Sequence, residues 1–175
     1  MPATFPFVRL AAALLAALAL SLVMASEALA KTATVGPVSV EVADDFKNVA
    51  GQVPAIHQYA SGITVEASPL PPEALHEFKG PAFLDYLKSL GFTDPAYVEG
   101  GGLKRTDAYT FVTADAKGAQ GPETRFLLVI GGEGRAAIVT AYAPKSALAD
   151  GHASRATIEA ILASATVTPA PATKP

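Results

Sequence analysis

Cysteine is absent from the 175 residues, which excludes a disulfide framework, a thiol nucleophile, a cysteine-bound metal and a lipid-modified N-terminal cysteine. Stability has to come from packing. Charge is sparse too: 13 Lys and Arg stand against 16 Asp and Glu, a formal net charge of −3. That balance offers no basic patch for nucleic acid or for an anionic membrane surface. The three histidines, His57, His76 and His152, are too far apart in sequence to form a local pair of metal ligands. There is no Gly-x-Ser-x-Gly elbow, no Asp-x-Asp-x-Asp-Gly calcium loop and no internal repeat. The sequence therefore offers no catalytic residue, no metal site and no cofactor motif.

What is present begins with the first 30 residues. Arg9 precedes an unbroken apolar run from Leu10 to Leu20, and the segment then turns polar and ends in Ala28-Leu29-Ala30. A charged start, an apolar centre and small residues at the last and third-last positions are the pattern of a secretory signal peptide cleaved after Ala30. An uncleaved anchor is the competing reading, but a spanning helix needs about 20 apolar residues and Glu27 closes this one at roughly 15. Removing Arg9 and Glu27 together leaves the mature charge unchanged. The remaining chain of roughly 145 residues has the size of one ordinary domain. The expected organisation is a signal peptide over 1–30, one α/β domain over 31–168 and a disordered Pro/Ala tail over 169–175. After cleavage no stable membrane insertion is expected, and the compartment is periplasmic or fully secreted.

Along the mature chain, Thr34 to Val42 alternates valine with polar residues and reads as one half-buried strand. Residues 43–55 read as irregular. Ile56–Ala60 and Ile63–Ala67 flank Ser61-Gly62 as a hairpin, with Ser61 a turn serine. Pro69 to Pro72 then forces a change of character. A short helix is expected over Glu73–Lys79, and a second from Pro81 carries the stripe Phe83, Leu84, Leu87 and Leu90, with Gly91 at its end. Three strands follow: Leu103–Ala114, Thr124–Ile130 and Ala136–Tyr142. They are separated by a polar connection over Asp115–Pro122 and a glycine-rich turn over Gly131–Arg135. Ile158, Ile161, Leu162 and Ala165 form a final helical stripe. Apolar runs in the last two strands require cover on both faces of the sheet. The fold class is α/β of the α+β kind, a predominantly antiparallel sheet of about six strands covered by helices on both faces.

This order of elements, from the Val38–Val42 strand through the Glu73–Leu90 helical block to the Ile158–Leu162 helix and Ser164-Ala165-Thr166-Val167, resembles the PsbP-like fold. That fold is shared by an extrinsic photosystem subunit, a nuclear-transport cofactor of fungi and many exported bacterial proteins. The resemblance spans about Val35 to Val167 and rests on element order. It departs from the family in lacking the tryptophan often found after the first strand, where Asp45-Phe46 stands here. The resemblance implies a binding or assembly protein and carries over no catalytic residue.

Two constellations merit attention as sites. Gly100-Gly101-Gly102-Leu103-Lys104-Arg105 joins a flexible backbone to two cations, a combination suited to an anion. Asp44, Asp45 and Glu66 form a carboxylate set that would have to meet across the first strands. The function read from the sequence is a non-enzymatic binding or assembly module of the bacterial cell envelope, whose partner is an envelope protein or a small ligand. Lys104, Arg105, Tyr86 and Tyr109 are its candidate contact residues. A carrier of apolar small molecules, holding its ligand near Phe83, Tyr86 and Tyr109, is the second reading. A hydrolase-type enzyme using the acidic set is the third.

Overall fold

Gly36 and Pro37 divide the first valine-rich segment in two. Gly36 adopts φ +54°, which a β-branched residue resists, and Pro37 has no N–H for a ladder. The chain therefore doubles back, and β1 (Lys31–Val35) pairs antiparallel with β2 (Val38–Val42), Val35 opposite Val38. The expectation of a single strand here gives way to a hairpin, because the turn residues outweigh the period-two pattern. The computed structural model describes residues 31–98, 103, 107–132 and 134–168. The proposed signal peptide, the tail over 169–175 and both Lys104 and Arg105 lie outside the described residues.

Part of the stretch read as irregular is a short strand, β3 (Lys47–Val49), which borders β4 (Ala55–Gln58). β4 and β5 (Ile63–Leu70) form the expected hairpin. Ser61 shapes its turn: the hydroxyl donates to Gln58 Oε1 at 2.5 Å and accepts from the Ile63 N–H at 3.2 Å. The prolines then start a 3-10 helix over Pro72–Phe78, and Gly80 opens α1 (Gly80–Ser89). Phe83 and Leu87 are buried, whereas Leu90, the end of the expected stripe, is 57% exposed. It follows the last helical turn, and Gly91 at φ +90° ends the helix and turns the chain toward the next strand.

An unanticipated strand, β6 (Thr93–Tyr97), comes next, with Asp94 at φ +50° and a bulge between Thr93 and Ala96. The meander consists of β7 (Ala108–Gly118), β8 (Gly121–Gly132) and β9 (Arg135–Pro144). Most of the polar connection expected over Asp115–Pro122 is ladder, with Gly118 paired to Gly121 around a two-residue turn. Polar residues sustain strand there because they pair across it: Thr124 Oγ1 donates to Asp115 Oδ1 at 2.9 Å. α2 (Lys145–Ala149), α3 (Arg155–Ser164) and β10 (Thr166–Val167) complete the described chain.

The large sheet has the order β3-β4-β5-β9-β8-β7-β6, all antiparallel neighbours. β1, β2 and β10 form a second, three-stranded sheet. Strand alternation sorts the large sheet into two faces. Val65, Phe126, Leu128, Ile130, Val139 and Ala141 belong to one buried cluster with Val38, Val40 and Val42 of β2 and Ile158, Ile161 and Leu162 of α3. Cover on this face is thus the small sheet together with helix, an addition to the helices expected there. On the opposite face Phe83 and Leu87 of α1 pack with Val112 and Leu127, while Leu75 of the 3-10 helix packs with Val129 and Ala136. No helix among the described residues is long and apolar enough to cross a membrane.

Candidate functional site

Helical cover reaches only part of that second face. Where it stops, the sheet carries polar residues at positions that would otherwise be core. Alternation sends His57 of β4, Thr64 and Glu66 of β5, Tyr142 of β9 and Glu123 and Arg125 of β8 to the same side. Register sets His57 opposite Thr64, Thr64 opposite Tyr142, and Tyr142 opposite Arg125. One row of side chains therefore crosses four strands. The row forms the floor of a trough of about 670 Å³, whose rim includes Val49, Val53, Ala55, Tyr59 and Pro144.

The floor residues are bound to one another. His57 Nδ1 lies 2.8 Å from Thr64 Oγ1, and the Tyr142 hydroxyl donates to Glu66 Oε1 at 2.7 Å. Burial, then the hydrogen bond to Glu66 and its negative charge, push the Tyr142 phenol up to about 12; a hydrogen bond from Thr64 and the charge of Arg125 oppose the rise. The Arg125 guanidinium lies 4.6 Å from the centroid of the Tyr142 ring, a cation over an aromatic face. Glu123 Oε1 accepts from Arg125 Nε at 2.5 Å and lies 2.5 Å from Nη2. The Glu123 side chain is only 10% exposed, and a charge so withdrawn from water needs this partner. His57 meets Tyr59 edge to face, with ring centroids 4.7 Å apart. No group of three or more metal-ligating side chains occurs among the described residues.

Of the contact residues singled out in the sequence, Tyr86 and Tyr109 do not line the trough. Tyr109 is on β7, where Lys79 Nζ stands 4.9 Å from its ring centroid, and it lines a separate small cavity with Lys79, Asp107, Ala108 and Gly131. Tyr86 projects from α1 and lines neither cavity. The space near Phe83 is filled: its ring lies against Phe78 at 5.2 Å and is almost wholly buried. The carboxylate set is also dispersed. Asp45 Oδ1 accepts from Gln58 Nε2 at 2.8 Å, the Asp44 carbonyl accepts from Lys31, and Glu66 is bound to Tyr142 instead.

Glu123, Arg125 and Tyr142 carry no site motif in the sequence, and His57 appears there only as a histidine without a local metal-ligand partner. A signal existed. Counting outward from the β8–β9 turn in register sets Arg125 opposite Tyr142, two large polar residues facing each other within apolar strands.

A sheet of long antiparallel strands, closed on one face by a small sheet and C-terminal helix and partly covered on the other by a short helical block, defines an α+β sandwich. Its architecture is the PsbP-like fold. The solution structure of cyanobacterial PsbP (CyanoP) from Synechocystis sp. PCC 6803 is similar at a TM-score of 0.51 and 10% identity, over 81% of this chain and 94% of that one. The Ran-binding protein Mog1p of Saccharomyces cerevisiae gives a TM-score of 0.48 at 10% identity, over 80% of this chain and 96% of that one. A structure from Bacteroides thetaiotaomicron gives 0.47 at 14% identity, over 82% of this chain; the chain spans 50% of that one's length. No family model and no curated protein matches the sequence.

Proposed function

We propose that this protein is an exported, non-enzymatic binding module of the bacterial cell envelope, with residues 31–168 as its single working domain and the trough as its contact face. One observation carries the reading. Part of a sheet face that ordinary packing would close with apolar residues and helix is left open, with a row of polar groups already held in place by mutual hydrogen bonds. Groups fixed before a ligand arrives lose little freedom when it binds. A concave site with an apolar rim and a few convergent polar groups is the usual form of a binding pocket. The leader pattern of residues 1–30 supports the envelope location.

The test is a titration of isotope-labelled protein with fractionated envelope extract, followed by amide resonances. Saturable shifts confined to β4, β5, β8 and β9 are expected. Shifts confined to the helices or to the small sheet would refute the trough as the contact face.

A further inference from the structure

Within the trough, the charges do not balance. Glu123 and Arg125 neutralise each other at 2.5 Å. The remaining carboxylate, Glu66, has the neutral hydroxyl of Tyr142 as its hydrogen-bonding partner. Lys47 stands opposite His57 on β3 but does not line the trough. Among the described residues one negative charge is thus left on the floor, in a concavity where an opposite charge is worth more than in bulk water. His57 adds to this: Thr64 occupies Nδ1, so Nε2 is the ring nitrogen left for a ligand. The neighbouring rim is apolar at Val49, Val53, Ala55 and Pro144.

We propose that the trough binds a primary amine, its ammonium group bonded to Glu66 and its apolar body lying along Val49, Val53, Ala55 and Pro144. An ammonium brings three donors and no acceptor, which suits a carboxylate whose Oε2 has no hydrogen-bond partner among the described residues. The Arg125 guanidinium does not reverse the sign, because it is held by Glu123 and stacked on Tyr142. The inference rests on the trough being the contact face.

Benzylamine, benzyl alcohol and benzoate offer one apolar body with a cationic, a neutral and an anionic head. Each is titrated at neutral pH into the isotope-labelled protein, with the amides of β4, β5, β8 and β9 as the readout. Benzylamine is expected to saturate the trough with an affinity about tenfold or more above the alcohol, the range of a charge-assisted hydrogen bond. Glu66→Gln, which can still accept from Tyr142, should bring amine and alcohol within about twofold, while Leu90→Ala, at an exposed position outside the trough, should keep the amine preference. Benzoate binding in the trough more tightly than benzylamine would overturn the amine assignment and leave the trough as a contact face. An amine preference that survives Glu66→Gln, or no saturation of trough amides by benzylamine, would overturn it too. Failure of the contact-face reading is recognised separately, by extract-induced shifts that fall outside the trough.

Discussion

Leu128 is the point at which the architecture is most open to challenge. It is fully buried on β8, opposite Phe111 of β7 and Val139 of β9, in the cluster that joins the large sheet to β2 and α3. Leu128→Ala removes three carbons, worth about 0.8 kcal/mol each in transfer free energy, or roughly 2.4 kcal/mol. The space left adds about 24 cal/mol for each Å³ that neighbours fail to fill. Its neighbours are poorly placed to fill it: Ala137, Val139 and Ala141 are short and fixed in the β9 ladder. The expected loss is about 3–5 kcal/mol, a third or more of the stability of many domains. With a urea dependence of about 2 kcal/mol per molar, the midpoint should fall by about 1.5–2.5 M. Leu90→Ala, at a position 57% exposed, should change stability by no more than about 0.5 kcal/mol. Coincident urea midpoints for Leu128→Ala and the parent would refute the placement of β8 at the centre of the core.

Other outcomes follow from the same structure. The folded Tyr142 phenol titrates near 12 against an ordinary value of 10.0, so its contribution to stability is complete below pH 10 and declines as pH rises through 12. Solvent screening holds that contribution to about 1 kcal/mol. Tyrosinate absorbance should show a late-ionising residue in the folded protein that disappears in Tyr142→Phe, and an unchanged titration in the variant would refute the assignment. Ser154 caps α3 by accepting from the Thr157 N–H at 3.0 Å, so Ser154→Ala should cost about 1 kcal/mol in chemical denaturation; no loss would show the cap to be energetically idle. The intact mass of the exported protein should correspond to a chain starting at Lys31, and retention of Met1–Ala30 in the membrane fraction would refute the cleavage assignment.

The fold was legible where one face of an element is apolar and its ends are marked. Phe126–Ile130, Ile138–Tyr142 and the stripe Ile158, Ile161 and Leu162 identified β8, β9 and α3, because burial selects those residues whatever lies around them. β3 and β6 were missed for the opposite reason. All of Lys47–Val49 is exposed, and Thr93–Tyr97 buries only Pro95, so each is strand through backbone pairing at a sheet edge and not through a hydrophobic pattern. The site was less legible than the fold. Glu66 was grouped with Asp44 and Asp45 by charge, but the group it meets is a tyrosine 76 residues away in the chain. Such a partnership depends on the β5–β9 pairing, a long-range register that local sequence does not encode.

The closure of the small sheet bears on how this chain folds. The Glu41 N–H of β2 donates to Ser164 Oγ, 123 residues later, at 2.8 Å, and the Thr168 N–H donates to the Pro37 carbonyl at 2.8 Å. Val38, Val40 and Val42 share their buried cluster with Ile158, Ile161 and Leu162. An isolated two-stranded hairpin is marginal in water, and the cover over β2 is completed only when residues 155–168 arrive, a late and high-contact-order step. If the chain is exported with its N-terminus leading, its first four buried valines, Val35, Val38, Val40 and Val42, reach the far side well before the segment that completes their shelter. During that interval the β1–β2 ribbon lacks the third strand and the helix that complete its cover, and an open edge of that kind invites pairing with another chain.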